Sequence, residues 1–190
     1  MVDAIVNALV FLINILADLY VFILIARMIF VWIHADSNSM TLFIAKLTNL
    51  PLKFFQRIPT IKGIELSSLL LIFLIEAVKF FLLGLVAYGL PNVFGLILLV
   101  AAEILKLTLN VFFYAILLQV ILSWFPYSYT EIYNLLATIT APIMRPIRRI
   151  IQPIHGFDIS PIPALIGLQL IVILFIDPLY SAGMSIAYRM

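Results

Sequence analysis

Seven ionisable side chains interrupt stretches that are otherwise almost wholly apolar: Asp18, Arg27, Glu76, Lys79, Glu103, Lys106 and Asp177. The stretches cover residues 4–33, 67–90, 93–125 and 161–186. Each can cross a hydrocarbon core, which takes about 20 helical residues. A charge at mid-bilayer costs roughly 2.5–3.5 kcal/mol on insertion scales, so each of the seven should face a partner or water. Counting about 1.5 Å per residue from the cytoplasmic helix ends puts Arg27 and Gln119 near 8 Å and Glu76 and Gln169 near 14 Å. Lys79 then lies near 18 Å, Asp18 and Asn110 near 21 Å, and Lys106 and Asp177 at about 25–27 Å. Glu103 comes out higher, toward the outer interface. Matched depth predicts three ion pairs: Asp18–Lys79, Arg27–Glu76 and Lys106–Asp177.

Two kinds of chemistry are open to these groups. Interhelical polar contacts act as packing glue in a bundle that lacks a hydrophobic drive for association. Alternatively, Asp18, Arg27, Glu76, Lys79, Lys106, Asn110, Gln119, Gln169 and Asp177 form a polar seam that conducts an ion or holds a small solute. Catalysis finds no support. Cysteine is absent, and no zinc-protease, nucleophile-elbow or phosphate-loop motif occurs. His34 and His155 stand at membrane boundaries, and Ser123 has no nearby base. The expectation is a protein that is not an enzyme and needs neither cofactor nor metal.

The elements that position these groups follow from composition. Apolar residues make up 65% of the 190 and charged residues only 11%, against about 45–50% and about 25% in soluble domains. So much apolar surface requires lipid as solvent. A net charge of +2 is too mild for a nucleic-acid partner. Seven of the eleven basic residues fall in two segments, Lys46, Lys53, Arg57 and Lys62 in one and Arg145, Arg148 and Arg149 in the other. By the positive-inside rule both are cytoplasmic, and both termini then face outward. Ile132, Leu135, Leu136 and Ile139 recur at helical spacing beside those arginines. An amphipathic segment of this kind lies in the interface with its cations toward anionic headgroups. Lys53, Arg57, Arg145, Arg148 and Arg149 are therefore candidates for binding the lipid surface, or for docking a cytosolic or membrane-protein partner.

The chain also repeats itself. At an offset of 92, Trp32 meets Trp124, Arg27 meets Gln119, Asp18 meets Asn110 and Thr48 meets Thr140. At 93, Gly63-Ile64-Glu65-Leu66-Ser67 meets Gly156-Phe157-Asp158-Ile159-Ser160. The fold expected is an all-α membrane protein of four transmembrane helices, arranged as two parallel helix–amphipathic loop–helix repeats. The first is 1–90, with its loop at 35–66; the second is 91–190, with its loop at 126–160. In the shared motif Gly63 and Gly156 permit a tight turn, and Ser67 and Ser160 are expected to cap the following helices. Glu65 and Asp158 would lie near positive helix ends, or alternatively form an acidic ring around a cation mouth.

The Asp-Leu-Tyr pattern from Asp18, with Arg27 and Trp32 beyond it, resembles span one of the YggT family of integral membrane proteins. So do Leu122-Ser123-Trp124, the run from Ala141 to Arg149, and Gly156-Phe157-Asp158-Ile159-Ser160-Pro161. That resemblance implies roles in osmotic tolerance and potassium homeostasis for bacterial members, and in membrane-complex assembly and division for plastid ones. No settled biochemical activity comes with it. Four helices leave little room for a pore, so direct permeation would require a homo-oligomer. The topology is testable with single cysteines in this Cys-free chain. Asp3→Cys, Asn92→Cys and Tyr188→Cys should react with an impermeant thiol reagent on whole cells, and Thr41→Cys and Glu131→Cys should not; the opposite pattern reverses the orientation.

Overall fold

A computed structural model describes residues 2–33, 39–55, 57–61, 63–125, 131–151 and 158–189. Helix α1 runs Val2–Trp32 and α2 Ser39–Leu52, followed by a single tight turn over Lys53–Phe55. A two-residue antiparallel hairpin, β1 Thr60–Ile61 with β2 Ile64–Glu65, leads into α3, Leu66–Leu83. A wide π-type turn over Gly84–Tyr88 ends that span. Then come α4 Val93–Ser123, α5 Glu131–Ile150, α6 Pro161–Ile171, a second π-type turn Val172–Ile176, and α7 Asp177–Tyr188.

Four helical spans, Ala4–Trp32, Leu66–Tyr88, Val93–Ser123 and Pro161–Tyr188, are long and apolar enough to cross a membrane. These match the four expected stretches to within a few residues. The outer faces carry large apolar side chains in the open, among them Phe11, Val93 and Phe175. Such surface suits hydrocarbon and not water. The hairpin was not expected. Gly63, at φ +83, supplies the left-handed residue its turn needs. Trp32 packs against this glycine, at 3.4 Å from where a β-carbon would stand.

Helix α4 is central and touches α1, α3, α5, α6 and α7. Its closest neighbour is α7, because small residues let the two backbones meet. A β-carbon on Gly95 would stand 2.2 Å from the Ala187 nitrogen, and one on Gly183 would meet Leu99 at 3.0 Å. Near the other end, Val21, Leu24, Ile25 and Ile29 of α1 pack with Leu71, Ile72, Val111 and Ala115, and with Leu135, Leu136 and Ile139 of α5. The basic amphipathic segment is thus a continuous helix despite Pro142 and Pro146. One face is sealed onto the bundle, while Arg145, Arg148 and Arg149 are exposed.

The fourth span has its own interruption. Pro178 cannot donate a backbone bond, and the turn before it opens so that the Asp177 N–H reaches the Val172 carbonyl. The chain therefore takes up one extra residue and stays helical on both sides.

Gly95→Ala should force α4 and α7 apart and cost about 1–3 kcal/mol, the usual penalty for overpacking. Gly167→Ala meets nothing within 4 Å and should leave stability unchanged or higher, since alanine is the better helix former. Thermal unfolding of the two variants in detergent tests the contrast.

Candidate functional site

Midway along the spans the charged side chains converge on Lys79. This residue lies on α3, with only 2% of its side chain exposed. Its Nζ lies 2.7 Å from Asp18 Oδ1 of α1, 2.6 Å from Glu76 Oε2 one turn earlier on α3, and 3.5 Å from Glu103 Oε1 of α4. Glu76 is wholly buried. Although its Oε2 is close to the ammonium, neither of its oxygens has a well-aligned hydrogen-bond donor. Three carboxylates therefore share one ammonium.

Aromatic rings link this cluster to a second pair. Lys79 Nζ stands 4.7 Å from the Phe80 ring centre, Phe80 and Tyr180 are 6.1 Å apart, and Lys106 Nζ lies 5.8 Å from the Tyr180 ring. Lys106 in turn contacts Asp177 Oδ1 at 3.1 Å. Cations over ring faces are attracted by the ring quadrupole, an effect that strengthens away from water. The result is a belt of charge and aromatic surface crossing α1, α3, α4 and α7.

Two of the three depth-matched pairs are thus present, and the third is not. Arg27 does not reach Glu76. Its Nε and Nη2 donate to Glu65 at 2.9 and 3.0 Å, and Nη1 donates to Thr48 and Asn49 at 2.8 and 2.7 Å. The reason is physical: a long side chain within reach of the interface turns toward a wetter acid, and Lys79 on the next turn already occupies Glu76. Glu103 also departs from expectation, since it belongs to the Lys79 cluster. Counting rise along upright helices with level ends placed it too high, and the contact shows that the ends of α3 and α4 are not level.

The remaining seam candidates scatter. Gln119 Oε1 bonds the buried Thr140 hydroxyl at 2.7 Å, at the positions equivalent to Arg27 and Thr48. Asn110 and Gln169 make no side-chain hydrogen bond among the described residues, and Gln169 is exposed. No single continuous seam joins all nine residues.

In the turn motifs the serines do not cap as expected: neither α3 nor α6 has a side-chain cap hydrogen bond. Helix α3 begins at Leu66 with Glu65 at its cap position; Ser67 is buried in the first turn, and Ser68 donates to Glu65 at 2.6 Å. Ser160 precedes Pro161 as expected. Its backbone is already helical, however, so its hydroxyl and its N–H both donate to Asp158 instead of the hydroxyl capping α6. Asp158 also accepts from Arg148 Nε at 2.9 Å. Each acid is thus held by an arginine, which argues against an open acidic ring. Burial pushes Glu65 up, but hydrogen bonds from Arg27 and Ser68 and the guanidinium charge outweigh it and hold the carboxyl below its ordinary value. Asp158 is lowered likewise: burial raises it, and bonds from Ser160 and Arg148 prevail. Gly156, His34, His155 and Lys62 lie outside the described residues. Lys53 and Arg57 are exposed on the segment between α2 and α3.

Because Glu65 is depressed, its contribution to stability is complete above the unfolded-state value of about 4.3 and disappears as pH falls through the folded-state one. Glu65→Gln should cost about 1.5–3 kcal/mol at neutral pH, the range for a hydrogen bond to a charged group, and should flatten the acid limb of stability. Detergent unfolding between about pH 3 and 7 reads both effects. An unchanged acid limb would place the titration elsewhere.

The sequence is similar to three bacterial proteins along almost all of its length. It is 36% identical to an uncharacterized protein of Pseudomonas aeruginosa, over 91% of this chain and 90% of the relative. An uncharacterized protein from the proC 3' region of Vibrio alginolyticus is 32% identical over 86% and 90% of the two chains. The uncharacterized protein YggT of Escherichia coli strain K12 is 28% identical over 93% and 94%. No solved structure matches. The family model described as CCB3/YggT matches residues 6–86 and 98–179. With most of the chain accounted for by these two segments, the protein belongs to the CCB3/YggT family of multi-pass membrane proteins.

Proposed function

We propose that this is a non-catalytic protein of the bacterial inner membrane that serves osmotic and potassium homeostasis by holding a monovalent cation, or a proton in its place, at the Lys79 cluster. The observation that carries this reading is the charge balance around Glu76. Asp18, Glu76 and Glu103 present three carboxylates to the single ammonium of Lys79, and Glu76 is cut off from solvent. A net negative charge is costly in hydrocarbon, so the site has a reason to take up a positive one. The osmotic and potassium context comes from the family resemblance.

The finer architecture belongs to the same reading. Both termini outward and the basic segments cytoplasmic follow from the basic residues alone, while two parallel repeats are supported by three observations. The two segments matched by the family begin 92 residues apart, at 6 and 98. Arg27–Thr48 and Gln119–Thr140 join equivalent positions. Glu65 and Asp158 each hold an arginine and a serine at the entry to a span.

One observation favours a second reading, a scaffold that recruits a partner or anionic lipid. Arg145 and Arg149 are exposed and form no ion pair among the described residues.

The test is a double-mutant cycle on Glu76 and Lys79, read as detergent stability and as growth in hyperosmotic, low-potassium medium. Lys79→Met alone should destabilise by about 3–5 kcal/mol, because it leaves the buried Glu76 unpaired; Glu76→Gln alone, which leaves Lys79 with Asp18 and Glu103, should cost less, and the two together should recover folding. A cation site predicts a folded double mutant that still fails to support growth, and purified parent protein that passes a monovalent cation in proteoliposomes. Recovery of growth along with folding would overturn the cation site. If Arg145→Gln with Arg149→Gln then abolished growth, the scaffold reading would replace it.

A further inference from the structure

Both partners of the Lys106–Asp177 pair are open to the outside of the bundle, whereas in the Lys79 cluster only Asp18 is. The pair's side chains are 36% and 46% exposed although they touch. Depth does not rescue it. Lys106 lies 13 residues from Val93 and 17 from Ser123 in the 31-residue α4, about 20 Å and about 26 Å from the two ends. Any placement of a core about 30 Å thick within this helix leaves Lys106 at least roughly 4 Å beneath the outer boundary.

Below the pair, the same side of span four carries Gln169, exposed and without a side-chain hydrogen bond among the described residues. Steps of four lead from Gln169 through Ile173 to Asp177. The extra residue in the Val172–Ile176 turn removes the drift that such steps otherwise accumulate. Gln169, Ile173 and Asp177 thus form one stripe, polar at both ends and apolar between, with Ile173 53% exposed. Lipid tails offer neither the amide nor the ion pair a partner.

We infer that this stripe, with Lys106, is the contact face of a parallel homodimer. Copies inserted under one charge rule point the same way, so a two-fold axis must run along the membrane normal. Residues on the axis then face their own equivalents, and a pair beside the axis meets its copy crosswise at the same depth. The stripe suits that condition. A glutamine amide is both donor and acceptor, so Gln169 pairs with Gln169 of the second copy. A Lys106–Asp177 pair turned through the two-fold sets ammonium against carboxylate, whereas a face of one sign would repel its copy. The dimer seals a polar surface that one chain leaves open to lipid. It rests on exposure and depth, not on the cation reading above, and survives if that reading fails.

Oxidative cross-linking in native membranes is the test. Gln169→Cys and Ile173→Cys in the Cys-free chain should each give a product of twice the chain mass. Ile97→Cys and Leu16→Cys, equally exposed but on other faces, should not. With Ile173→Cys as reporter, Lys106→Leu plus Asp177→Leu should abolish the product while detergent stability is kept, because a whole ion pair has been exchanged for apolar groups. Gln169→Leu, which leaves that pair intact, should weaken cross-linking in the same direction and serves if the double variant misfolds. Equal cross-linking at Ile97→Cys and Leu16→Cys would overturn the dimer. So would a product of another mass, which signals a different protein, or labelling of Gln169→Cys by a hydrophilic maleimide as fast as Asn92→Cys, which signals a water-filled face.

Discussion

An ammonium removed from water inside a lipid-solvated bundle stays charged only if carboxylates come to it, and Lys79 draws them from α1, α3 and α4. The register of these helices depends on that convergence. Apolar side chains alone cannot fix it, because hydrocarbon solvates a leucine on the outside of the bundle as well as a leucine neighbour does. Polar convergence therefore sets the relative heights of α1, α3 and α4. Close backbone approach at Gly95 and Gly183 does the same for α4 and α7. The two devices meet at Phe80, whose ring contacts Lys79 and Tyr180 and whose carbonyl accepts from the Tyr188 hydroxyl at 2.6 Å.

The halves reach equivalent ends by different donors. In the first, one guanidinium from the span ties the turn acid to α2 through Glu65, Thr48 and Asn49. In the second, Gln119 replaces Arg27 and keeps only the threonine, while Arg148 comes from α5 to hold Asp158. Beside Gln119 lies a cavity of about 320 Å³ lined also by Ser123, Tyr133, Arg148 and Asp158. One arginine inside the span fixes a loop from within; one on the loop fixes it from the surface. The first arrangement ties loop and span into one rigid corner, and the second leaves that corner partly wet.

The spans were legible because their apolar runs have only one solvent that suits them, and the prolines and basic residues mark their ends. Asp18–Lys79 and Lys106–Asp177 were legible because a charge in hydrocarbon has few partners at its own depth. Arg27 and Glu103 were not, for related reasons. Counting rise along an upright helix ignores the reach of a long side chain toward the interface and the unequal heights of neighbouring ends. The serine motif misled because Ser160 has helical backbone angles, which a residue string does not reveal. The β1–β2 hairpin carried one readable sign, Gly63, but pairs of two residues give no periodicity to detect.

The separation of the charged partners along the chain has a consequence for synthesis. Asp18 precedes Lys79 by 61 residues, so when the lysine enters the membrane its acid is already there. Lys106 has the opposite history: its partner follows 71 residues later. At roughly 5–20 residues per second, the ribosome takes roughly 4–14 s to deliver Asp177. Throughout that interval α4 holds an ammonium with no finished fourth span beside it. The nascent helix must keep Lys106 near the headgroups, or in the aqueous path of the insertion machinery, and then draw it inward as span four arrives. Assembly of the second half is thereby ordered in time, with the last helix also serving as the counter-ion that lets the third one settle.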